Sequence, residues 1–593
     1  MIEKWMLINK KESFLKLSEF LKENPLVLRI LANRGIDNIN LAKRFLYGTV
    51  NDLYDPYLMK DMKIGIEIIK DAIINQKKIV IYGDYDCDGV NSTTILYRGL
   101  KEVGANYSYY IPNREEEGYG MHPDRIKKLY EEGYEVILTC DNGISAFEEV
   151  KLAKELGMTV VITDHHDIPI KENSRGELVE KVPNADAIIN PKQKDCTYPF
   201  KMLCGAGIAL KFVKCLFDEF NIGSKKYIDL FQFAGIATVC DVVDLVDENR
   251  IIVKKALELL NEKSNIGIEA LKKATALENK KVEEYHLGFV IGPCINATGR
   301  LETADLSVEL LITDDKKRAE ELAKQLSELN TIRQDLTKES TEKIINRIET
   351  EKKHEEKVIV VYEEDVHESI AGIVAGRIKE KYNMPCIVLT KGKEMPKGSA
   401  RSIEGYNISK ELSNCANLIE KFGGHPMAAG LSIKEENIDK LREELNKNCK
   451  LTDDDLIPVV KIDLPLSLSY LNEDLVNIIE NLRPFGKGNP SPVFAIKDVF
   501  IERLWLLGKE KNFFKVRCRF NVGGRNLYID GINFDKFESF KEDIVNKYGE
   551  NIFNEAVSSS FLNIKADMIY YPSINEFNGN RSIQINIKNI RVQ

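Results

Sequence analysis

Four short segments carry residues that could hold divalent metal ions. Gly83-Asp84-Tyr85-Asp86-Cys87-Asp88-Gly89 supplies three carboxylates at alternate positions. Cys140-Asp141-Asn142-Gly143 supplies a fourth, and Asp164-His165-His166 adds another carboxylate with two imidazoles. Asp241, at the end of the apolar run Ala237-Thr238-Val239-Cys240, completes the set. Mixed Asp and His ligation suits Mn2+, with Mg2+ and Zn2+ as alternatives. Two such ions about 3.5–4 Å apart would activate a water and stabilise the oxygens of an in-line displacement at phosphorus. Each piece alone has an ordinary reading. An Asp after a strand commonly caps a helix, and a His-His pair is commonly structural or solvated. Their occurrence together in one chain argues for a two-metal hydrolase.

Such ligands need rigid elements behind them. Ile79-Val80-Ile81-Tyr82, Val136 to Cys140 and Thr159 to Thr163 are short, apolar and β-branched, as strands buried on both faces of a parallel sheet are. In such sheets ligands collect outside the carboxyl ends of the strands, so strands ending in Asp or His aim at one place. If the chain stays extended through Asp86 and Asp88, both carboxylates point the same way. Gly83 and Gly89 leave the backbone room to turn tightly, and Asp141 is placed to bridge two ions. Helices are expected over Ser92–Val103, ended by Gly104, and over Ile144–Leu156, closed by Gly157. This strand–helix rhythm, from about residue 60 to 250, predicts a parallel, doubly wound sheet.

The 593 residues exceed one hydrophobic core, so three or four domains are expected. Residues 1–55 read as helical, with breaks at Pro25 and Gly35. Residues 56–312 hold the metal motifs, the last part, from 251 to 290, being helical. Residues 313–353 contain no Gly or Pro and space Leu322, Leu326, Leu329, Leu336, Ile344, Ile345 and Ile348 along a charged stretch, which predicts a long connecting helix. A second, smaller α/β pattern fills 354–452, with strands near Val358–Tyr362 and Pro385–Leu389. The tail, 453–593, alternates like a small β-barrel at Pro492–Ile496, Phe513–Phe520 and Ser582–Ile587.

The composition, 43% hydrophobic and 30% charged, is that of a globular protein. No stretch is apolar enough to span a bilayer, and Met1-Ile2-Glu3-Lys4-Trp5 lacks a signal-peptide apolar region. Eleven scattered cysteines without a C-x-x-C pair fit reduced thiols in a cytoplasm and argue against zinc ribbons. The net charge of −9 argues against a protein coated in positive charge. It leaves room for a local basic track, and bound cations would neutralise several of the carboxylates.

The metal motifs resemble the DHH phosphoesterase superfamily, whose signature stands here as Asp164-His165-His166. The finer resemblance is to its RecJ family of single-strand exonucleases. It runs through Ile111-Pro112-Asn113-Arg114, Gly118-Tyr119-Gly120, Leu203-Cys204-Gly205-Ala206-Gly207 and Ile295-Asn296-Ala297-Thr298-Gly299-Arg300. It continues through Gly398-Ser399-Ala400-Arg401-Ser402, Gly423-Gly424-His425-Pro426-Met427-Ala428-Ala429-Gly430 and Arg483-Pro484-Phe485-Gly486-Lys487-Gly488. The resemblance implies an α/β architecture: a parallel-sheet DHH domain, a long helix, a smaller α/β DHH-associated domain and an OB-fold β-barrel. It implies Mn2+-dependent hydrolysis of single-stranded DNA from the 5′ end to mononucleotides, in recombination and repair. By the same resemblance Asp86, Asp88, Asp141, His165 and Asp241 would ligate two ions, with Mg2+ an alternative. His166 would lie at the metals or the scissile phosphate, and Asp84 would be a ligand or a supporting carboxylate. A RecQ-type helicase and a single-strand-binding protein are implied as partners, and nothing demands more than a monomer. Two rival readings are a DHH phosphodiesterase of short oligonucleotides or cyclic dinucleotides, and a noncatalytic replisome scaffold.

Arg114, Ser399 and Arg401 match positions that would hold a 5′ phosphate, since Arg offers a fork of donors to phosphate oxygens and Ser adds one. The ordinary reading pairs Arg114 with Glu115 to Glu117 on the surface. Gly424 and His425 read as a close backbone approach to a phosphate. Asn296 and Arg300 would contact the scissile region or brace a loop, and His367 would cap or line an interface between lobes. In the barrel, Phe513, Phe514, Lys515, Arg517, Arg519 and Phe520 suit a stacking and phosphate-tracking surface; equally, alternate aromatics in such a strand face the core.

Overall fold

The computed structural model describes residues 3–114, 117–172, 177–508, 513–534, 536–558, 563–577 and 579–593. The chain divides into two compact units, Thr49–Leu456 and Met1–Gly48 with Ile457–Gln593.

The first half of Thr49–Leu456 is built on a five-stranded parallel sheet in the order Asn106–Tyr110, Lys78–Tyr82, Val136–Cys140, Thr159–Thr163, Ala187–Ile189. Val136 to Cys140 are all buried, the signature of a strand covered on both faces. One face packs against the helices Met62–Ile74, Cys87–Glu102 and Gly205–Glu219 in a large apolar core; the other meets Pro123–Glu131 and Phe147–Glu155. Two expected helix starts are corrected. Cys87–Glu102 begins five positions before Ser92, and Phe147–Glu155 begins after Ile144. The first correction changes the site. Asp86 is not in a run of extended backbone with Asp88: its Oδ1 accepts hydrogen bonds from the amides of Asp88 (2.9 Å) and Gly89 (3.0 Å) and caps the helix. Gly89 permits this early start, because a Cβ there would stand 2.4 Å from the carbonyl oxygen of Asp84. The apolar run before Asp241 is the end of a helix, Phe231–Cys240, with Asp241 at its C-terminus.

The helix Lys316–Thr350 is 35 residues long, about 50 Å at 1.5 Å per residue. Its Asp315 cap accepts from the amide of Lys317 at 2.8 Å. Leu322 and Leu326 belong to the core of the parallel-sheet half, while Ile344 and Ile348 belong to that of the following α/β half. One helix therefore ties two cores together, as its Gly-free, Pro-free sequence predicts. The second half has a mixed sheet in the order Lys421–His425, Ala428–Ser432, Lys397–Arg401, Cys386–Thr390, Ile359–Tyr362.

In the other unit, strands Phe494–Leu507, Phe513–Val522, Arg525–Asn533, Asn580–Val592 and Ile564–Phe577 pair in turn, and the last returns to the first, closing a five-stranded barrel. Residues 1–48 fold with it. Besides the expected helices they supply the strand Lys4–Leu7, paired with Val459–Ile462. Pro25 starts the helix Pro25–Asn33, where its missing N–H costs nothing. Leu28, Ile30 and Leu31 enter the barrel's core cluster, and Arg34 forms a buried ion pair with Asp463 at 2.7 Å. No helix among the described residues is long and apolar enough to cross a membrane.

Candidate metal centre and phosphate pocket

The strand order 2-1-3-4-5 of the parallel sheet puts its topological switch point between Lys78–Tyr82 and Val136–Cys140. The crevice at such a point, outside the carboxyl ends, is where doubly wound sheets bind ligands. Asp84, Asp86 and Asp141 leave the two bordering strands there, and Asp164 to His166 leave the next one. Asp141 has φ +61°, and Val242, the residue after Asp241, has φ +56°. A left-handed β-branched residue is an outlier, and such strain gathers at functional sites.

Ligand atoms of Asp84, Asp86 and Asp141 lie within 4.8 Å of one another, as do those of Asp88, His165 and Asp241, and those of Asp141, His165 and His166. His165 Nε2 stands 3.0 Å from Asp141 Oδ1, 3.6 Å from Asp88 Oδ2 and 3.8 Å from Asp241 Oδ2. Asp88 is held from behind by the first amides of the helix Gly205–Glu219: Gly205 donates to Oδ2 at 2.7 Å and Ala206 to Oδ1 at 2.8 Å. Gly205 is required, since a Cβ would fall 2.7 Å from that of Asp141.

The donor set fits divalent cations. Asp84 Oδ1 and Asp141 Oδ1 are buried and accept no hydrogen bond. Burial, then the Asp86 charge, pushes Asp84 well above the usual carboxylate range. Burial and the Asp88 and Asp86 charges do the same to Asp141, and raise Asp241 to about 8. Carboxylates that resist ionising together are neutralised by a shared cation.

Asp164 plays another part. Its Oδ2 accepts from the Ile144 amide (2.9 Å), and its Oδ1 accepts from the amides of His165 and His166 and stands 2.7 Å from His166 Nδ1. Burial would raise Asp164, but the His166 hydrogen bond and the charges of both histidines outweigh it and hold the carboxyl at about 2. A carboxylate only accepts, so His166 carries its proton on Nδ1. Burial lowers His165 and would lower His166, whose bond to Asp164 raises it to about 9 instead.

A cavity of about 510 Å3 is lined by Arg114, Arg300, Ser399 and Arg401, together with Gly372, Lys397, Lys421 and Gly423. Arg401 Nη1 donates to Ser399 Oγ at 3.2 Å, and Gly372 leaves room for both, because a Cβ would fall 2.8 Å from Arg401 Nη2. Burial lowers Arg401, and burial with the Arg114 charge lowers Arg300 to about 10. Arg114 stands over the Tyr85 ring at 5.2 Å. Its possible partners Glu115 and Glu116 lie outside the described residues. Asn296 braces the metal loop by accepting from the Cys87 amide at 2.9 Å, and Arg300, on the same helix, donates to the Ser369 carbonyl.

Residues 78–236 match the DHH family N-terminal domain, residues 355–451 the DHHA1 domain and residues 462–589 the RecJ OB domain. The chain is 37% identical, over 97% of its length and 69% of the relative's, to the single-stranded-DNA-specific exonuclease RecJ of Bacillus subtilis. It is 32% identical to the Haemophilus influenzae enzyme of that name, covering 98% of both. The chain belongs to the RecJ family. Its fold superposes on Thermus thermophilus RecJ with a TM-score of 0.79 at 24% identity, covering 99% of this chain and 79% of that one. A second solved structure, exonuclease RecJ bound to manganese, is 29% identical with a TM-score of 0.57, covering 67% of this chain and 96% of that one.

In this RecJ-family chain the residues expected to hold metal converge on one place, and three supports stand behind them that local pattern does not announce. Asp164, in the sequence simply the first residue of Asp164-His165-His166, orients His166. Tyr119, quoted in a motif, donates to the Asp141 carbonyl at 3.1 Å and lies 3.2 Å from His166 Nε2. The Gly205 and Ala206 amides reach Asp88 from 117 and 118 residues away, a contact no local pattern encodes. Gly424 and His425 differ from expectation. Gly424 is needed inside its hairpin, at φ +149° with Ala428 O 2.4 Å from an added Cβ, and Gly423 lines the cavity instead. His425 is exposed, 3.8 Å from Asp167. His367 accepts from the Ser369 amide and caps the turn Glu368–Ile370. In the barrel strand, Phe514 goes inside, stacked on Phe540 at 4.5 Å. Lys515 and Arg517 flank Trp505 on the outer side, but both pair with Asp530, at 2.8 and 2.9 Å.

Proposed function

We propose that this chain is a divalent-metal-dependent exonuclease that hydrolyses single-stranded DNA from its 5′ end, releasing mononucleotides in recombination and repair. One observation carries the reading: a single helix, Gly292–Leu301, joins the carboxylate–histidine cluster to the arginine-lined cavity, through Asn296 to Cys87 and through Arg300. The named relatives and the manganese-bound RecJ structure support it. In this reading Asp86, Asp88, Asp141, His165 and Asp241 would hold two Mn2+ ions, with Asp84 a ligand or supporting carboxylate beside Asp86 and Asp141, and His166 at the metals or the scissile phosphate. The ions, when bound, supply Lewis acidity that activates water and neutralises charge at phosphorus. Arg114, Ser399 and Arg401 bind the terminal phosphate with fork and hydroxyl donors. Arg300 adds charge to the same cavity. Only a strand end presents that group, so the cavity sets polarity. His166, oriented by Asp164, faces the phosphoryl oxygens with Nε2. An unwinding enzyme is the partner class such an activity needs.

The test is degradation of a long single strand with Mn2+, labelled in turn at each end, beside a duplex. Early mononucleotide release from the 5′ label, with the duplex spared, is the expected result. Arg114→Ala should lose the preference for a 5′ phosphate. Cleavage of dinucleotides with no action on long strands would shift the reading to a small-substrate phosphodiesterase.

A further inference from the structure

Tyr285 and Phe289 are 59% and 68% exposed, although both are large apolar rings. They stack on each other, centroids 5.0 Å apart and planes 22° from parallel. The backbone beneath is unusual: the short turn Glu284–His286 passes into a π-helical turn, Leu287–Ile291, which runs directly into the helix Gly292–Leu301. Single π-turns in helices occur frequently at functional sites. The turn is pinned to the end of the helix that presents Asp241. Cys240 Sγ lies 3.5 Å from the Leu287 carbonyl, and a Cβ on Gly292 would stand 2.2 Å from that sulfur. Val242, next to Asp241, is itself 60% exposed. The same helical run continues to Asn296 at the metal loop and Arg300 in the phosphate cavity. From Phe289 to Arg300 it covers about 16 Å at 1.5 Å per residue, the span of a few nucleotides.

We propose that Tyr285 and Phe289 form a stacking platform for bases of the single strand downstream of its terminal phosphate. The proposal rests on the exonuclease reading and deepens it. A chain with net charge −9 cannot hold a strand by bulk attraction alone; stacking is insensitive to base identity because every base has a π-face. The paired rings present such a face without burying it. A platform on the run that also carries Arg300 would keep the strand in register as each terminal nucleotide leaves.

The experiment compares the full-length protein with Tyr285→Ala, Phe289→Ala and the conservative Phe289→Tyr. Binding and steady-state cleavage are measured on a long 5′-phosphorylated strand and on strands with one abasic site moved stepwise from the 5′ end. Loss of one stacked base should weaken binding by roughly tenfold. The change should fall in KM rather than kcat, and Phe289→Tyr should restore it. An abasic site at the stacked position should weaken the parent protein and leave Phe289→Ala unaffected. Equal binding of intact and abasic strands by the parent and both alanine variants would overturn the platform, and would leave the exposed rings to a protein contact. If the parent binds strands but cuts none, the exonuclease reading falls and the abasic comparison still decides the platform. If it neither binds nor cuts, both fall.

Discussion

Asp141 is the residue on which the site turns. Its φ is +61°, its Oδ1 accepts no hydrogen bond, and it appears in two of the three ligand groups. Asp141→Ala should abolish hydrolysis while the fold persists, since the side chain is buried among like-charged carboxylates and its close polar contact is His165 Nε2 at 3.0 Å. Circular dichroism with a cleavage assay checks this, and undiminished cleavage would refute the assignment. The raised carboxylates also predict a pH dependence for the metal-free protein. A raised folded-state pKa stabilises at low pH, and that stability is lost as pH rises toward the folded value. For Asp241 the window runs from its ordinary 3.8 to about 8. With a chelator present, Tm should therefore fall across that window, and Mn2+ should restore it most at the upper end. A flat profile in chelator would show that the carboxylates do not strain one another.

At the scale of elements, the site depends on where helices begin. Cys87–Glu102 starts on the Asp86 cap only because Gly89 fits against the Asp84 carbonyl, and Gly205–Glu219 aims its first amides at Asp88. Gly89→Ala should force the helix start to shift, costing about 1–3 kcal/mol by overpacking. It should also weaken Mn2+ binding, because Asp84 and Asp86 move together. Calorimetric titration with Mn2+ beside thermal unfolding tests this, and unchanged metal affinity would contradict it. The sequence announced the strands clearly, since β-branched runs such as Val136 to Cys140 have few other uses. It misplaced the helix start because Asp-x-Asp-Gly reads equally as an extended loop until Gly89 meets its neighbour.

For the whole molecule, the chain termini share one core. Leu17, Leu28 and Leu31 pack in the same cluster as Phe494 and Phe514. A chain ended at 456 should therefore carry residues 1–48 as a protease-sensitive segment, while 49–456 stays resistant. Limited proteolysis with mass analysis checks this. Protection of residues 1–48 in that shortened chain would mean that they fold without the barrel.

The residue types and their order determined much about this protein: the metal donors, the parallel sheet, the bridging helix and the barrel all follow from local periodicity and ligand chemistry. Tertiary structure alone decided which groups orient those donors. The amides of Gly205 and Ala206 on Asp88, the grip of Asp164 on His166, the choice of Gly423 over Gly424 at the cavity, and the exposure of Tyr285 and Phe289 are contacts or burial states. Such properties arise when segments far apart in the chain are packed together, so local sequence pattern does not encode them.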